Sequence, residues 1–263
     1  MAISSSFRTT EAARRDEVET PDDLPLRHNR GLAWFCSLHA NSELHMSRMV
    51  TFLIALISVV LWLGLAAWGW DGVGPLLSHP ARVALVVVIL GLTVAAAFTR
   101  GNLSPGENED RGNRWVLFAF LIVGVLDGFL PAFSDRTGLL IFGGDGVRWL
   151  GVVLFFAGGV LRLWPVFVLG RRFSGLVAIQ KDHELVTDGI YSLVRNPSYL
   201  GLLISVFGWG LAFRSIIGVV LAVLFIPPLI VRIHSEERLL AEHFGAAYDA
   251  YRARTWRLVP YLY

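Results

Sequence analysis

The sequence predicts an all-α, polytopic integral membrane protein. The 263-residue chain is 54% hydrophobic and only 17% charged, whereas a soluble domain carries about 25% charged residues. A soluble protein this apolar would expose large apolar patches, which soluble proteins avoid. Apolar stretches of membrane-spanning length, about 17–25 residues, also recur along the chain. These observations together exclude an ordinary soluble domain.

The order of apolar and polar stretches predicts three regions and about six membrane spans. Residues 1–46 mix both charge signs with Ser, Thr and Pro, which is typical of a largely disordered tail. Residues 47–170 form a four-helix membrane region, and residues 171–263 a loop, a helical hairpin and a juxtamembrane helix. The expected spans lie at about 49–70, 81–98, 115–133, 148–170 and 199–233. The last stretch is too long for one span, and we expect Arg214 and Ser215 to divide it into a tight hairpin.

The basic residues predict how these spans are oriented. With six spans and the N-terminus inside, the cytoplasmic side carries 18 Lys and Arg residues and the outer side carries 4. Cytoplasmic loops of membrane proteins are enriched in Lys and Arg. We therefore expect both termini in the cytoplasm. The basic residues are 22 Arg and one Lys, a bias that fits a GC-rich genome. We therefore expect a bacterial source and a location in the inner membrane.

Small and charged residues within the spans suggest packing contacts and candidate sites. Small residues at helical spacing let backbones approach closely in lipid; they are Gly201, Ser205, Gly208 and Ala212, with Gly218 and Ala222 in the next helix. Pro227 and Pro228 should kink the last helix, which packing explains, although a kink could also open a cavity. Asp127 and Arg162 could pair across two helices, snorkel, or face a wet cavity.

Several classes of function are excluded by composition. A net charge of +2 is too small to suggest nucleic-acid binding. The single cysteine, Cys36, rules out an internal disulfide and makes a Cys-based metal site implausible. Gly69, Gly72 and Gly74 follow an apolar span rather than a strand, so they do not form a Rossmann fingerprint. We therefore expect neither a bound metal nor a Rossmann domain.

Two polar segments flank the predicted hairpin. The first, residues 180–201, contains the turn Asp188-Gly189 and places Pro197 at a helix start, a position that suits proline. The second follows the last span, where Arg232 and Glu236 are four residues apart and so share one helix face. These segments alone fit either a solvated connector with a charged surface helix or a functional site.

The two segments share a characteristic order and spacing of residues, at His183, Leu185, Val186, Thr187, Gly189, Ile190, Tyr191, Arg195, Asn196, Pro197, Ser198, Tyr199, Gly201, Arg232, Glu236, Glu237, Leu240, Phe244, Gly245, Tyr248, Tyr251 and Pro260. In these positions the chain resembles the isoprenylcysteine carboxyl methyltransferase family of membrane enzymes. The resemblance covers roughly residues 176–263, about a third of the chain. It implies a methyltransferase that uses S-adenosylmethionine (SAM).

The resemblance also implies roles for individual residues. The cofactor-binding residues would be Gln180, His183, Glu184, Leu185, Val186, Gly189, Tyr191, Asn196, Pro197, Ser198, Tyr199 and Glu236. The catalytic residues would be Arg232, Glu236 and Arg195, with Arg232 also binding the methyl acceptor. The family usually has His where this chain has Asn196. An amide cannot titrate near neutral pH, so this position is not expected to transfer protons.

The chemistry of these residues is compatible with those roles. Aromatic faces of Tyr191 and Tyr199 can stabilise a sulfonium cation, and Glu236 can accept charge-assisted hydrogen bonds from ribose hydroxyls or an amino group. Arg232 can anchor an anionic acceptor, so we expect a lipophilic carboxylate of the prenylcysteine type that enters from the bilayer. Two alternatives remain: methylation of a phospholipid amine or small thiol, and a non-enzymatic transporter or scaffold.

Overall fold

The computed structural model describes residues 52–99, 108–170, 177–179 and 184–263. Its helices are α1 (Phe52–Gly69), α2 (Val73–Leu76), α3 (Pro80–Ala97), α4 (Arg114–Thr137), α5 (Asp145–Leu169), α6 (Pro197–Ala212), α7 (Ile216–Leu224), α8 (Ile226–Phe244) and α9 (Ala246–Arg252). Short 3-10 turns cover Arg111–Asn113 and Gly189–Ser192. The expected tail, residues 1–46, lies outside the described residues, as do Gln180 and His183.

The described part of the chain is helical apart from one short strand pair. β1 (Asn108–Glu109) pairs antiparallel with β2 (Ala178–Ile179), with Asn108 opposite Ile179. Asp110 extends this contact by donating its backbone N–H to the carbonyl of Val177 at 3.1 Å. The pair therefore joins the segment before α4 to the segment that precedes Gln180.

Five segments of the described chain are long and apolar enough to cross a membrane: α1, α3, α4, α5 and the continuous stretch Ile216–Phe244. The sixth expected span corresponds to α6, an apolar helix of 16 residues, which is slightly shorter than a typical span. The all-α membrane fold is confirmed. The expected count of six therefore depends on this shorter helix.

The hairpin forms where the sequence predicts it. α6 ends at Ala212, Arg214 adopts a left-handed φ of 50°, and the Ser215 side chain caps α7 by accepting from the backbone N–H of Gly218 at 3.1 Å. α7 then ends at Leu224 and α8 begins at Ile226, with Phe225 between them. Because Pro227 and Pro228 have no N–H to donate, two helical hydrogen bonds are missing there, although Ile216–Phe244 continues as one apolar stretch.

The small residues of α6 pack mainly against α5. A methyl group added at Gly158 would lie 2.5 Å from the backbone nitrogen of Ser205, and one at Gly208 would lie 2.5 Å from that of Phe155. A methyl at Gly201 would similarly lie 2.5 Å from the nitrogen of Arg162. Glycine is therefore required for this helix spacing. The close approach fixes Arg162 beside the first turns of α6.

Two tryptophans join α1, α4 and α6 in the core. The ring centroids of Trp62 and Trp209 lie 4.0 Å apart. The Trp209 indole N–H donates to the backbone carbonyl of Asp127 at 2.7 Å. Pro131, four residues later, cannot donate to that carbonyl, so the indole replaces the missing helical bond. The Asp127 side chain is itself almost fully buried, and its Oδ1 has no hydrogen-bond partner among the described residues.

A buried ion cluster joins the helix ends that meet at Asp135, which we call the Asp135 end. Arg148 contacts both carboxylate oxygens of Asp135 at 2.5 and 2.8 Å. Arg214 donates to the Oδ1 atom at 3.0 Å, and an Arg82 nitrogen lies 3.6 Å from Oδ2. One carboxylate thus connects α3, α4, α5 and the α6–α7 turn.

Candidate active site

The opposite end of the bundle, the Glu236 end, brings α8 against the first turn of α6. Arg232 and Glu236 lie one helical turn apart on α8, and both reach the side chain of Tyr199. The Arg232 Nε donates to the Tyr199 hydroxyl at 2.8 Å. That hydroxyl donates to Oε2 of Glu236 at 2.6 Å. The tyrosine therefore bridges the arginine and the carboxylate that the sequence predicts to act together.

The three groups differ in how accessible they are. Arg232 is buried, with its guanidinium 5.9 Å from the Tyr199 ring centroid. Glu236 is half-buried, and Tyr199 is its only hydrogen-bond partner within the described ranges. A carboxylate oxygen has several acceptor positions. Glu236 therefore retains accessible capacity to accept hydrogen bonds from a ligand.

Arg162 belongs to the same site, although the sequence does not predict it there. Its guanidinium interacts electrostatically with Tyr199 and Arg232, and its side chain is exposed. Its backbone carbonyl accepts from the Ser198 hydroxyl at 3.2 Å. The possible pair with Asp127 is absent among the described contacts. Two guanidinium groups, those of Arg162 and Arg232, thus interact with Tyr199.

The neighbouring carboxylate, Glu237, has a different environment. Its Oε1 accepts from Arg195 at 2.9 Å and more weakly from Asn196 at 3.4 Å. Its Oε2 accepts from Arg257 at 2.9 Å. Glu237 is buried, so these contacts join α8, the segment before α6 and the segment after α9.

Arg195 and Asn196 also bind backbone carbonyls. Arg195 donates to the carbonyls of Arg252 and Thr255, and Asn196 donates to that of Arg257 at 2.9 Å. In addition, the Arg195 backbone N–H donates to the Trp256 carbonyl at 2.9 Å. The described hydrogen bonds of these two predicted site residues are therefore all made to other groups of the protein.

Three buried tyrosines lie near the two glutamates of α8. Tyr251 donates its hydroxyl to the Tyr191 carbonyl at 2.8 Å. Burial raises the pKa of Tyr191, and the charge of Glu236 raises it further. Burial likewise raises the pKa of Tyr248 and raises that of Tyr251 to about 12. All three phenols are therefore neutral at physiological pH.

The other predicted cofactor residues lie on the segment before α6. Gly189 has a φ of +58°, a conformation that favours glycine, and it opens the short turn that carries Tyr191. Glu184 and Gly189 are exposed, Leu185 and Val186 are half-buried, and Pro197 is buried at the first position of α6. The structure brings Tyr199, Arg232 and Glu236 into one hydrogen-bonded group.

The sequence carried only weak signals for the positions of Arg162 and Glu237 at this end of the bundle. Arg162 is a charged residue within a span, which by itself marks a functional candidate. Glu237 stands beside Glu236, and the sequence alone does not tell which carboxylate is buried. Helix geometry separates neighbouring residues by about 100°, so only one of the two can face Tyr199.

Comparisons with known proteins show what this chain is similar to. A sequence model of the family described as phospholipid methyltransferase matches residues 147–247. A protein-S-isoprenylcysteine O-methyltransferase of Schizosaccharomyces pombe is 36% identical over 110 residues, 39% of this chain and 45% of that protein. This chain therefore spans less than half the length of that relative.

Two further proteins are similar over a larger share of their length. The protein-S-isoprenylcysteine O-methyltransferase A of Arabidopsis thaliana is 32% identical over 133 residues, 48% of this chain and 68% of that protein. A solved structure of the eukaryotic intramembrane Ras methyltransferase ICMT superposes with a TM-score of 0.48 and 19% identity, covering 91% of this chain and 88% of that one. The identity and coverage of the Arabidopsis relative show that the chain belongs to the protein-S-isoprenylcysteine O-methyltransferase family.

Proposed function

We propose that this protein transfers a methyl group from SAM to the carboxylate of a lipophilic acceptor of the prenylcysteine type. The observation that supports it most is the Arg232–Tyr199–Glu236 group, with Arg162 beside it. The group places one accessible carboxylate and two guanidinium groups at one end of a membrane helix bundle. It can therefore hold a cationic donor and an anionic acceptor side by side.

The residues present fit SAM on the donor side. Glu236 has remaining acceptor capacity for ribose hydroxyls or an amino group. Tyr199 contacts it through its hydroxyl, and Tyr191 is close enough for the Glu236 charge to affect its pKa. Neutral phenol rings attract cations by their π faces. SAM, when bound, would supply a methyl carbon that already carries its leaving group, so the acceptor oxygen gains the methyl as the C–S electron pair returns to sulfur.

The acceptor side is supported by the two arginines. Guanidinium groups bind carboxylates with matched, charge-assisted hydrogen bonds. Tyr199 orients Arg232 through its Nε, and Arg162 is exposed nearby. We assign both to holding the acceptor carboxylate, which aligns its oxygen and excludes water. Arg195 and Asn196 would position α6 against Glu237 and have no direct chemical role.

We further infer that the Glu236 end faces the cytoplasm, where SAM would arrive. The 18-to-4 distribution of basic residues supports this orientation. The four arginines on the other side have structural partners, since Arg82, Arg148 and Arg214 surround Asp135 and Arg136 lies 3.5 Å from Asp71. The arginine-rich composition favours a bacterial inner membrane.

A second candidate function is methylation of a phospholipid amine, which the match to the phospholipid methyltransferase model favours. An amine acceptor gains positive charge as it is methylated. Arg162 and Arg232 beside it would repel that charge by Coulomb's law. The charges of the site therefore favour the carboxylate.

The test is methyl transfer in lipid nanodiscs with methyl-tritiated SAM. The acceptors are an S-prenylated cysteine with a free carboxylate, its carboxamide analogue and phosphatidylethanolamine. We expect lipid-soluble label only with the carboxylate, and base should release it because a methyl ester hydrolyses. Base-stable label on phosphatidylethanolamine would establish the second candidate instead.

Variants of Arg162 test the acceptor side separately. A hydrogen bond to a charged group contributes about 1.5–3 kcal/mol, so Arg162→Gln should raise the acceptor KM by roughly 10–100-fold. The dissociation constant of SAM should stay unchanged. The matched control is Arg238→Gln, which removes an arginine that is 61% exposed on the same helix as Arg232. Equal effects of the two variants would remove Arg162 from the acceptor site.

A further inference from the structure

The segment Trp256–Tyr263, which we call the aromatic turn, is a closed and well-fixed structure. The backbone N–H groups of Leu258 and Val259 both donate to the carbonyl of Tyr263, at 2.8 and 3.0 Å. The Arg257 guanidinium donates to the Tyr263 hydroxyl at 2.7 Å. Tyr261 takes a left-handed φ of 64°, which is unusual for a bulky residue. The turn therefore holds its side chains in one arrangement.

That arrangement points large apolar side chains away from the protein. Tyr261 is 85% exposed and Leu262 is 80% exposed. The Trp256 and Tyr261 rings lie 5.4 Å apart, and the exposed Leu193 neighbours them through the bond from the Trp256 N–H to the Leu193 carbonyl. These residues lie outside the membrane-spanning helices, so the apolar core of the bilayer does not cover them.

The inner side of the aromatic turn fixes its depth along the helix bundle. Leu258 is buried in a cluster with Leu229 and Ile233 of α8. Residues of the first two turns of α6 and α4 pack on the same cluster; they are Tyr199, Leu200, Leu202, Leu203 and Phe120. Because these positions lie near the starts of apolar helices, the turn sits at the level where the hydrocarbon region ends.

Basic side chains lie next to the exposed rings. Residues 252–257 contain three arginines. Arg252 pairs with Asp249 at 3.0 Å and Arg257 with Glu237 at 2.9 Å, whereas Arg254 is exposed and has no acidic partner among the described residues. Trp and Tyr prefer the membrane–water interface because one edge of each ring is apolar and the other polar. Each basic residue near an anionic leaflet contributes about 1 kcal/mol of attraction. The chemistry of the patch thus matches an anionic lipid surface.

We propose that the aromatic turn is an interfacial anchor: Trp256, Tyr261 and Leu262 insert into the headgroup region of an anionic leaflet, with Arg254 on the phosphates. The anchor is separate from methyl transfer itself. Through Leu258 it also contacts the cluster that packs against Tyr199, so it would hold the site end of the bundle at a fixed depth.

Spin-label depth measurements test this anchor directly. Leu262→Cys in a Cys36→Ser background carries the label, in nanodiscs that each hold one protein. The lipid is either phosphatidylcholine alone or an equal mixture with phosphatidylglycerol. We expect the label about 5–10 Å inside the headgroup boundary, with deeper insertion in the anionic mixture. The control is Ala250→Cys, an exposed position beside the Asp249–Arg252 ion pair.

The control label should stay accessible to water-soluble nickel in both lipids. A Leu262 label that is as accessible as the Ala250 label would overturn the anchor. Protection that appears only when two copies share a disc would also overturn it, because the occupant would then be a second copy. A thermal unfolding midpoint equal to that of the unlabelled protein is the check that the labelled variant is folded.

Discussion

The two ends of the helix bundle both gather arginines around carboxylates, but they differ in what the carboxylate can still do. At the Asp135 end, the Asp135 side chain is fully buried and the Arg82 and Arg148 side chains are about 5% exposed. Every described partner of that carboxylate is an arginine of the same chain. At the Glu236 end, the carboxylate is half-buried and binds one tyrosine.

The comparison shows that access, rather than the number of charges, separates a structural cluster from a candidate site. Glu236 and Glu237 show the same difference between an accessible and an enclosed carboxylate, in two consecutive residues. Glu237 is enclosed by Arg195, Asn196 and Arg257, whereas Glu236 faces Tyr199 and remains accessible. We therefore expect loss of stability from changes at Asp135 and Glu237, and loss of ligand binding from changes at Glu236.

The largest expected effect is that of Asp135→Asn. The substitution removes the carboxylate that three guanidinium groups share, which leaves the exposed Asp145, 3.6 Å from Arg148, as their described acidic partner. Breaking a buried ion pair costs about 3–5 kcal/mol. We expect the folded protein to be lost, or its thermal unfolding midpoint in detergent to fall steeply. Asp188→Asn is the control, since that residue is exposed and its side chain does not cap the turn that follows it, so the midpoint should change little. Similar midpoints for the two variants would contradict a structural role for the cluster.

Glu237→Gln should have a smaller effect of the same kind. The amide keeps the shape of the side chain but loses the charge that Arg195 and Arg257 bind, and Arg257 is partly exposed to solvent. We expect a loss of about 2–3 kcal/mol of folding free energy. Glu236→Gln is the matched variant one residue away, and it should melt within a few degrees of the wild type. A reversed order of the two melting points would show that the roles of the glutamates are exchanged.

Gly158→Ala tests the contact that holds Arg162 beside α6. The added methyl would lie 2.5 Å from the Ser205 nitrogen, and overpacking costs about 1–3 kcal/mol. Gly91→Ala is the control, because nothing lies within 4 Å of a methyl at that position, and alanine is the better helix former. Stability is read from chemical denaturation in mixed micelles. Two equally stable variants would mean that α5 and α6 do not require a close approach.

The smallest effect is expected for Tyr251→Phe, which removes the hydroxyl bonded to the Tyr191 carbonyl. A typical hydrogen bond contributes about 1 kcal/mol. Burial raises the Tyr251 pKa to about 12, above about 10 in an unfolded chain. That contribution is therefore complete below pH 10 and is lost as the pH rises towards 12. Denaturation curves at neutral and alkaline pH should show that the free energy of unfolding falls with rising pH in the wild type, and falls less in the variant.

The sequence predicted much of the fold because apolar length and small-residue spacing are local signals. Helices α3, α4 and α5 begin and end close to the expected residues, and Arg214 and Ser215 form the predicted turn. The sequence could not predict that Gly201 and Gly208 face α5. Their spacing shows that one face of α6 carries small residues, but it does not show which helix packs against that face. The Asp135 cluster was also missed, since its members are far apart in the chain.

The site was predicted through family resemblance and helix periodicity, which place Arg232 and Glu236 on one face. Which glutamate is enclosed depends on partners as distant in sequence as Arg195 and Arg257, so spacing along α8 could not decide it. For the same reason, the sequence did not decide whether Arg162 pairs with Asp127, snorkels or faces a cavity. Its role in the proposal follows from the close approach of α5 and α6.

Equilibrium binding of labelled SAM to the purified protein tests the central claim most directly, with Glu236→Gln and Glu237→Gln measured beside the wild type at a temperature where all three are folded. The account predicts that the wild type and Glu237→Gln bind SAM with similar affinity. Glu236→Gln should bind it at least 10-fold more weakly, the loss of about 1.4 kcal/mol or more expected for a charge-assisted bond. Equal affinity of Glu236→Gln and the wild type would contradict the placement of the cofactor at the Glu236 end.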